Sequence, residues 1–245
     1  MTEARGRKGV PLLLRFAGLL ARTVLRLCAR VTVEVDGDVP QDGPLIVVAN
    51  HISNADPPLV AGWLTPMLGR QMHILAKQGL FIGPLGWILR RLGATPVRSG
   101  GSDIEAYRVA RGVLERGEVL CIFPEGTRSA TGVLQEPKPG VAMLATRTNA
   151  PILPVGVSGS DVFLGRGKRL PRFRAHIQLH VGRPFTLELD PNLPHRQAMA
   201  AASDELMRRI AALIDERHRG RFDTAPMTQS PARHVLATAP QREIE

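Results

Sequence analysis

The 245-residue chain is 44% hydrophobic and 22% charged, enough apolar material to bury the core of one sizeable domain and too much for wholesale disorder. Aromatic residues make up only 4%, which argues against a stacking platform for single-stranded nucleic acid. The formal net charge of +10 calls for an anionic partner, and its distribution narrows the choice.

Residues 1–30 carry Arg5, Arg7, Lys8, Arg15, Arg22, Arg26 and Arg30 against Glu3, a net +6. Residues 10–30 have helical periodicity. Arg15, Arg22, Arg26 and Arg30 fall within an arc of about 80°, and Leu13, Phe16, Ala17, Leu20, Val24 and Leu27 fill much of the opposite side. Leu12 and Leu19 break the pattern by falling near the arginines. A basic amphipathic helix that is apolar over most of its circumference suits a membrane interface. The alternative is a helix packed on the core with a solvated Arg face. No apolar run approaches the ~18 residues of a spanning helix. Arg15, Arg22 and Arg26 also interrupt any apolar centre of a cleaved secretion signal.

From residue 31 onward, β-rich apolar runs alternate with helical stretches. Strands are expected at 31–35, 45–49, 72–76, 94–97, 119–123, 152–157 and 175–181. Helices are expected at 57–66, 84–92, 103–116, 139–149 and about 195–218. The alternation predicts an α/β fold, a mixed and mostly parallel sheet of about seven strands flanked by helices. The final stretch, 222–245, contains Pro226, Pro231 and Pro240 without sustained periodicity and is read as a disordered tail. Cys28 and Cys121 form no C-x-x-C, which fits a reducing compartment.

Several candidate sites follow the predicted strands. Asn50-His51-Ile52-Ser53-Asn54-Ala55-Asp56-Pro57 begins where strand 45–49 ends, and open α/β sheets bind ligands at the carboxyl ends of their strands. Asp56 could hold one ring nitrogen of His51 and leave the other as a general base. Asp56 before Pro57 is also a good helix N-cap, and the two readings are compatible. His218 and Asp223 share the same spacing but follow no strand, so that pair is assigned to chance. Gly93-Ala94-Thr95-Pro96-Val97-Arg98 places an arginine at a strand end, as a phosphate ligand or a solvated cation. Phe123-Pro124-Glu125-Gly126-Thr127-Arg128-Ser129 follows strand 119–123; Gly126 permits a tight turn, Arg128 can bind phosphate through two bonds, and Glu125 can orient Arg128 or a substrate hydroxyl. A polar turn with a surface ion pair is the plainer alternative. Lys138-Pro139-Gly140 opens a helix whose N-terminus attracts anions, or is simply a turn. Residues 166–174 hold Arg166, Lys168, Arg169, Arg172 and Arg174 with no acid, a net +5. His176 and His180 could lie on one strand face, but two histidines without acids or cysteines lack the further ligands a metal needs and are read as surface residues. No G-x-S-x-G elbow, phosphate-loop or H-E-x-x-H motif occurs.

Taken in order, the motifs resemble the glycerolipid acyltransferase family, which contains the 1-acyl-sn-glycerol-3-phosphate (lysophosphatidic acid) acyltransferases. The resemblance rests on N-H-x-x-x-x-D at 50–56, G-x-x-x-x-R at 93–98, F-P-E-G-T-R-S at 123–129 and a Pro-rich apolar strand at 151–156, and spans about residues 40–160. It implies that His51 is the general base on the acceptor hydroxyl and that Asp56 orients it. It implies acceptor-binding roles for Arg98, Glu125, Gly126, Thr127 and Arg128, with Arg98 and Arg128 on the phosphate. Lys77 matches a lysine often found before the second motif, although Gly79 stands where the family often has an acid. Lys138 is a further candidate for substrate binding.

The function so implied is acyl transfer from acyl-CoA or acyl carrier protein to the free hydroxyl of a lysophospholipid, with no cofactor and no metal. Such a transfer needs a base and stabilisation of a tetrahedral intermediate but no enzyme nucleophile, consistent with the missing serine elbow. Other acceptors, such as glycolipids or lyso-aminolipids, remain open, as do thioester hydrolysis and a non-enzymatic protein binding anionic membranes or nucleic acid. The expected organisation is a membrane-interface segment over 1–30, an acyltransferase domain over 31–221 and a tail over 222–245. The expected location is peripheral or monotopic, on the cytoplasmic face of a membrane with anionic lipid. The basic stretch 166–174 could meet donor phosphates, anionic lipid, an acidic carrier protein or only water.

Overall fold

The computed structural model describes residues 10–97, 103–167, 170–223 and 234–235. Helix α1 (Leu12–Cys28) runs directly into β1 (Ala29–Val35). There follow β2 (Leu45–Ala49), α2 (Asp56–Leu68), β3 (Met72–Lys77), α3 (Gly83–Arg91), β4 (Ala94–Val97), α4 (Asp103–Glu115) and β5 (Val119–Ile122). The chain continues through α5 (Pro139–Thr148), β6 (Ile152–Ser158), α6 (Ser160–Leu164), β7 (Ala175–Val181), α7 (His195–Ala211), α8 (Glu216–Arg219) and the two-residue β8 (His234–Val235). All the strands join one sheet in the order β4-β3-β5-β2-β6-β7-β1-β8. Strands β4, β3, β5, β2 and β6 are mutually parallel. Strand β7 is antiparallel to β6, β1 is parallel to β7, and β8 is antiparallel to β1. The seven expected strands are present and β8 is an addition.

Strand composition explains its place in the sheet. The run Leu45-Ile46-Val47-Val48-Ala49 is apolar throughout because β2 is covered on both faces. Leu45, Val47 and Ala49 join a core with Leu25 of α1 and Leu59, Val60 and Trp63 of α2. Ile46 and Val48 join a second core with Val113 of α4, Leu144 of α5 and Leu206 and Ile210 of α7. By contrast β1 and β7 alternate, with Val31, Val33, Ile177 and Leu179 inward. Their other face is polar: Thr32 Oγ1 lies 3.1 Å from His176 Nε2, and His180 Nε2 lies 2.8 Å from Asp36. His176 is exposed on this face, and His180 is half-buried against Asp36.

Helix α1 has three sectors rather than two. Leu14 and Leu25 are buried, and Gly18 packs close to Gly62 of α2. Arg22 and Arg26 flank this contact, with Arg26 over the Trp63 ring at 5.7 Å. The remaining arc, Leu12, Leu13, Phe16, Leu19, Leu20, Val24 and Leu27, is exposed. Leu12 and Leu19 thus complete an apolar outer face rather than breaking one. A groove of about 430 Å³ between α1 and α2 is lined by Leu14, Arg15, Arg22 and Pro66, on the sector of α1 that faces away from this apolar arc. Among the described residues no helix is long and apolar enough to cross a membrane.

Some elements differ from the expected ones. The helix expected to 218 stops at Ala211, and α8 follows separately. Asp215 N–H donates to Ser158 Oγ at 3.0 Å, so the chain turns over the end of β6 instead of continuing straight. Helix α6 was not foreseen because five residues are too few for periodicity to register. Of the stretch read as a tail, Phe222 is buried in the second core, and His234 and Val235 pair with Val35 and Glu34. Residues 224–233 and 236–245 lie outside the described residues.

The topology concentrates chain ends. The carboxyl ends of the five parallel strands share one edge of the sheet. Because β7 and β1 run the opposite way, their amino ends lie on that same edge.

Candidate active site

At the end of β2, Asn50 is fully buried and its side chain acts as one more rung of the sheet. Its Nδ2 donates to Val157 O at 2.8 Å, and its Oδ1 accepts from Val157 N–H at 2.7 Å. This fixes the point from which the next residue leaves the strand. The chain then turns, and His51 Nδ1 comes to 2.9 Å from Asp56 Oδ2.

Asp56 is 0% exposed, so its charge requires internal compensation. Its Oδ2 also accepts the backbone N–H groups of Ile52 and Ser53, each at 2.7 Å. Its Oδ1 accepts the hydroxyl of Ser160, the first residue of α6, at 2.6 Å. The carboxylate turns back into its own loop, so the N-cap expected of it is absent; α2 is instead preceded by Ala55 and helped by proline in its first turn. A carboxylate can only accept, so Nδ1 is the donor, and in the neutral ring Nε2 keeps its lone pair. Among the described residues Nε2 has no partner, and the His51 side chain is 16% exposed. Phe123, the first residue after β5, stacks on the imidazole with centroids 4.3 Å apart.

The 123–129 motif is bound to the 50–56 motif from both sides. His51 N–H donates to Glu125 Oε1 at 2.7 Å, and His51 O accepts Ser129 N–H at 2.8 Å. The other Glu125 oxygen accepts the backbone and side-chain N–H groups of Gln135, each at 3.1 Å. Burial pushes the Glu125 carboxyl above its ordinary range, against these hydrogen bonds, which pull it down. Both Glu125 oxygens are thus engaged inside the protein, and its geometry is that of a residue positioning His51.

The remaining candidates occupy the same edge. Lys77 ends β3, is exposed, and is in register with Val97 at the end of β4. Arg98, the next residue, lies outside the described residues. Gly126 has φ +69°, and a Cβ there would run into the stem of Lys138 (Cε 2.7 Å, Cδ 2.9 Å). Lys138 caps α5 and its N–H donates to Pro124 O at 2.8 Å, so it lies across the turn. Thr127 is exposed, and its carbonyl accepts from Gln135 Nε2 at 3.2 Å. Arg128 is half-buried, and among the described residues no carboxylate pairs with it. Among them also, no group of three His, Cys, Asp or Glu side chains is placed to hold a metal.

The control pair separates as expected: Asp223 bonds to Arg219 at 3.3 Å. His218 is buried, with Nδ1 2.6 Å from Gly132 O and Nε2 3.6 Å from Asp161. Ser160 and Gln135 were missed by sequence reasoning. The only signal for Ser160 was the Ser-Gly-Ser step, 158–160, directly after the apolar run 152–157.

The profile of the Acyltransferase family matches residues 30–158. The chain is 26% identical over 200 residues to a 1-acyl-sn-glycerol-3-phosphate acyltransferase of Bacillus subtilis, covering 81% of this chain and 96% of that protein. It is 33% identical to a lyso-ornithine lipid O-acyltransferase of Pseudomonas aeruginosa, over 63% of this chain and 65% of that one. Plant and mammalian relatives are longer, and the chain spans between 36% and 56% of their length. The crystal structure of a 1-acyl-sn-glycerophosphate acyltransferase from Thermotoga maritima superposes with a TM-score of 0.64 at 27% identity, covering 79% of this chain and 76% of that one.

Proposed function

The chain belongs to the Acyltransferase family and is an O-acyltransferase of the glycerolipid group, and we propose that it acylates the free hydroxyl of lysophosphatidic acid to form phosphatidic acid. The donor is a thioester, acyl-CoA or acyl carrier protein. The observation that carries the mechanism is the His51–Asp56 pair with Nε2 unpartnered among the described residues.

In this reading His51 Nε2 takes the hydroxyl proton as the oxygen attacks the thioester carbonyl. Asp56 holds the ring in one tautomer and offsets the imidazolium charge. The tetrahedral intermediate then collapses, the C–S bond breaks, and the proton on His51 passes to the departing thiolate. Arg128, with Arg98 and with Lys77 at the end of β3, binds the acceptor phosphate. Lys138 shapes the turn beneath it. The exposed apolar arc of α1 lies in the membrane interface, where a lysolipid is found.

A second acceptor is favoured by a specific observation. The Pseudomonas aeruginosa relative is named for lyso-ornithine lipid, whose headgroup is an amino acid. Purified protein with one acyl-CoA and a panel of lysolipids, read by mass spectrometry, decides between them. Phosphatidic acid as the main product supports the first reading, and consumption of lyso-ornithine lipid alone overturns it. His51→Ala should lower turnover by at least about 100-fold; more than a tenth of the activity remaining would refute the general-base role.

A further inference from the structure

The basic stretch before β7 is left without a role by the acyl-transfer chemistry. Leu170 is 81% exposed and Phe173 is 66% exposed, between Arg166, Arg172 and Arg174, which are exposed as well. A loop that leaves a leucine and a phenylalanine in water beside three arginines has the composition of an interfacial contact, since a solvated loop gains nothing from either apolar group.

Its position is set by backbone contacts. Arg174 N–H donates to Cys28 O at 2.7 Å, at the junction where α1 (with Leu27 79% exposed) becomes β1. Arg172 N–H donates to Phe163 O at 2.8 Å, tying the loop to α6. On its other side α6 is tied to the His51–Asp56 loop, because Ser53 Oγ donates to Leu164 O at 2.7 Å and Ser160 bonds Asp56. The loop thus joins the exposed face of α1 to the candidate base, on the edge where the parallel strands end. The same edge exposes Leu80 and Ile82 after β3 and Ile104 at the start of α4.

We propose that Leu170 and Phe173, with Arg166, Arg172 and Arg174, form a second membrane contact separate from α1: the two apolar side chains insert into an anionic bilayer while the three arginines engage its headgroups. Two contacts at different points fix the orientation of the catalytic edge, whereas a single helix leaves the protein free to turn about that helix. Arginine beside exposed apolar groups favours a lipid surface over an acidic carrier protein, which needs the charge and not the inserted side chains. The inference rests on the membrane-interface reading of α1 and on no assumption about the acceptor.

The test is co-sedimentation of the full chain with vesicles of phosphatidylcholine alone or with phosphatidylglycerol added. Leu170→Ser with Phe173→Ser should weaken partition into the anionic vesicles about tenfold. Turnover of a short-chain lysolipid acceptor below its micelle concentration should be unchanged. Arg166→Gln with Arg172→Gln should weaken partition about thirtyfold at low salt and hardly at all on phosphatidylcholine. Partition unaltered in both variants overturns the proposal. So does an arginine variant that binds vesicles normally but loses acyl carrier protein as donor, which would make the loop a protein-docking site. Absence of wild-type binding to any vesicle overturns both this contact and that of α1, whereas failed turnover of the soluble acceptor by wild-type protein bears only on the proposed chemistry.

Discussion

Ser160 shows how much of the dyad depends on a single hydroxyl. It is one of four donors on a fully buried carboxylate and, among the described residues, the only one on Oδ1. Removing it leaves that oxygen buried without a donor, at a cost of about 1–3 kcal/mol. Ser160→Ala should therefore lower kcat by about tenfold while KM for both substrates stays near wild type, and Ser160→Thr, which keeps the hydroxyl, should recover most of the loss. Equal losses in both variants would mean a packing role only. Glu125 leads to a prediction in pH. Burial raises its folded-state pKa above the ordinary glutamate value, so the folded chain holds this proton more tightly than the unfolded chain does. That contribution to stability is complete below the ordinary Glu range and is lost as pH rises through the raised value. Thermal melts of wild type from pH 4 upward should contain this downward component, and melts of Glu125→Gln should lack it.

At the level of elements, the junction of β6 with α6 determines where Ser160 stands. Gly159 has φ +78°, and a Cβ there would overlap His176 O of the neighbouring β7. Gly159→Ala meets both the left-handed penalty and a backbone clash, at least about 2 kcal/mol together. It should lower the melting temperature and, by displacing Ser160, reduce turnover beyond what instability explains; unchanged turnover at a temperature where the variant is folded would disconnect the two. Sequence reading missed α6 for a definite reason: five residues cannot display a 3.6-residue period. It overextended α7 because Ala212-Leu213-Ile214 continues the apolar pattern, while the stop comes from Asp215 bonding to Ser158 in a distant strand. The elements it located best are those, such as β2, whose apolar run is unbroken because both faces are covered.

For the whole molecule, the decisive feature is the direction of β7 and β1. With both reversed relative to β6, the end of α1 and residues 170–174 arrive on the same edge as His51. An N-terminal truncation would be a poor test of membrane binding, since Leu14, Leu25 and the start of β1 belong to the fold. Phe16→Ser with Leu20→Ser changes only exposed positions and should weaken vesicle binding by about tenfold without lowering the melting temperature. Intact binding in that variant would remove α1 from the interface.

The sequence alone determined the strands, their alternation with helices, and the candidate His51–Asp56 pair, because hydrophobic periodicity and local spacing are encoded by neighbouring residues. It also located the two concentrations of positive charge. Only the tertiary structure decided that Glu125 is spent on holding His51, that Ser160 supports Asp56 from 104 positions away, and that the two basic segments meet beside the site. Those outcomes depend on strand order and on which hydrogen-bond partners the sheet brings together, and neither leaves a local pattern in the chain.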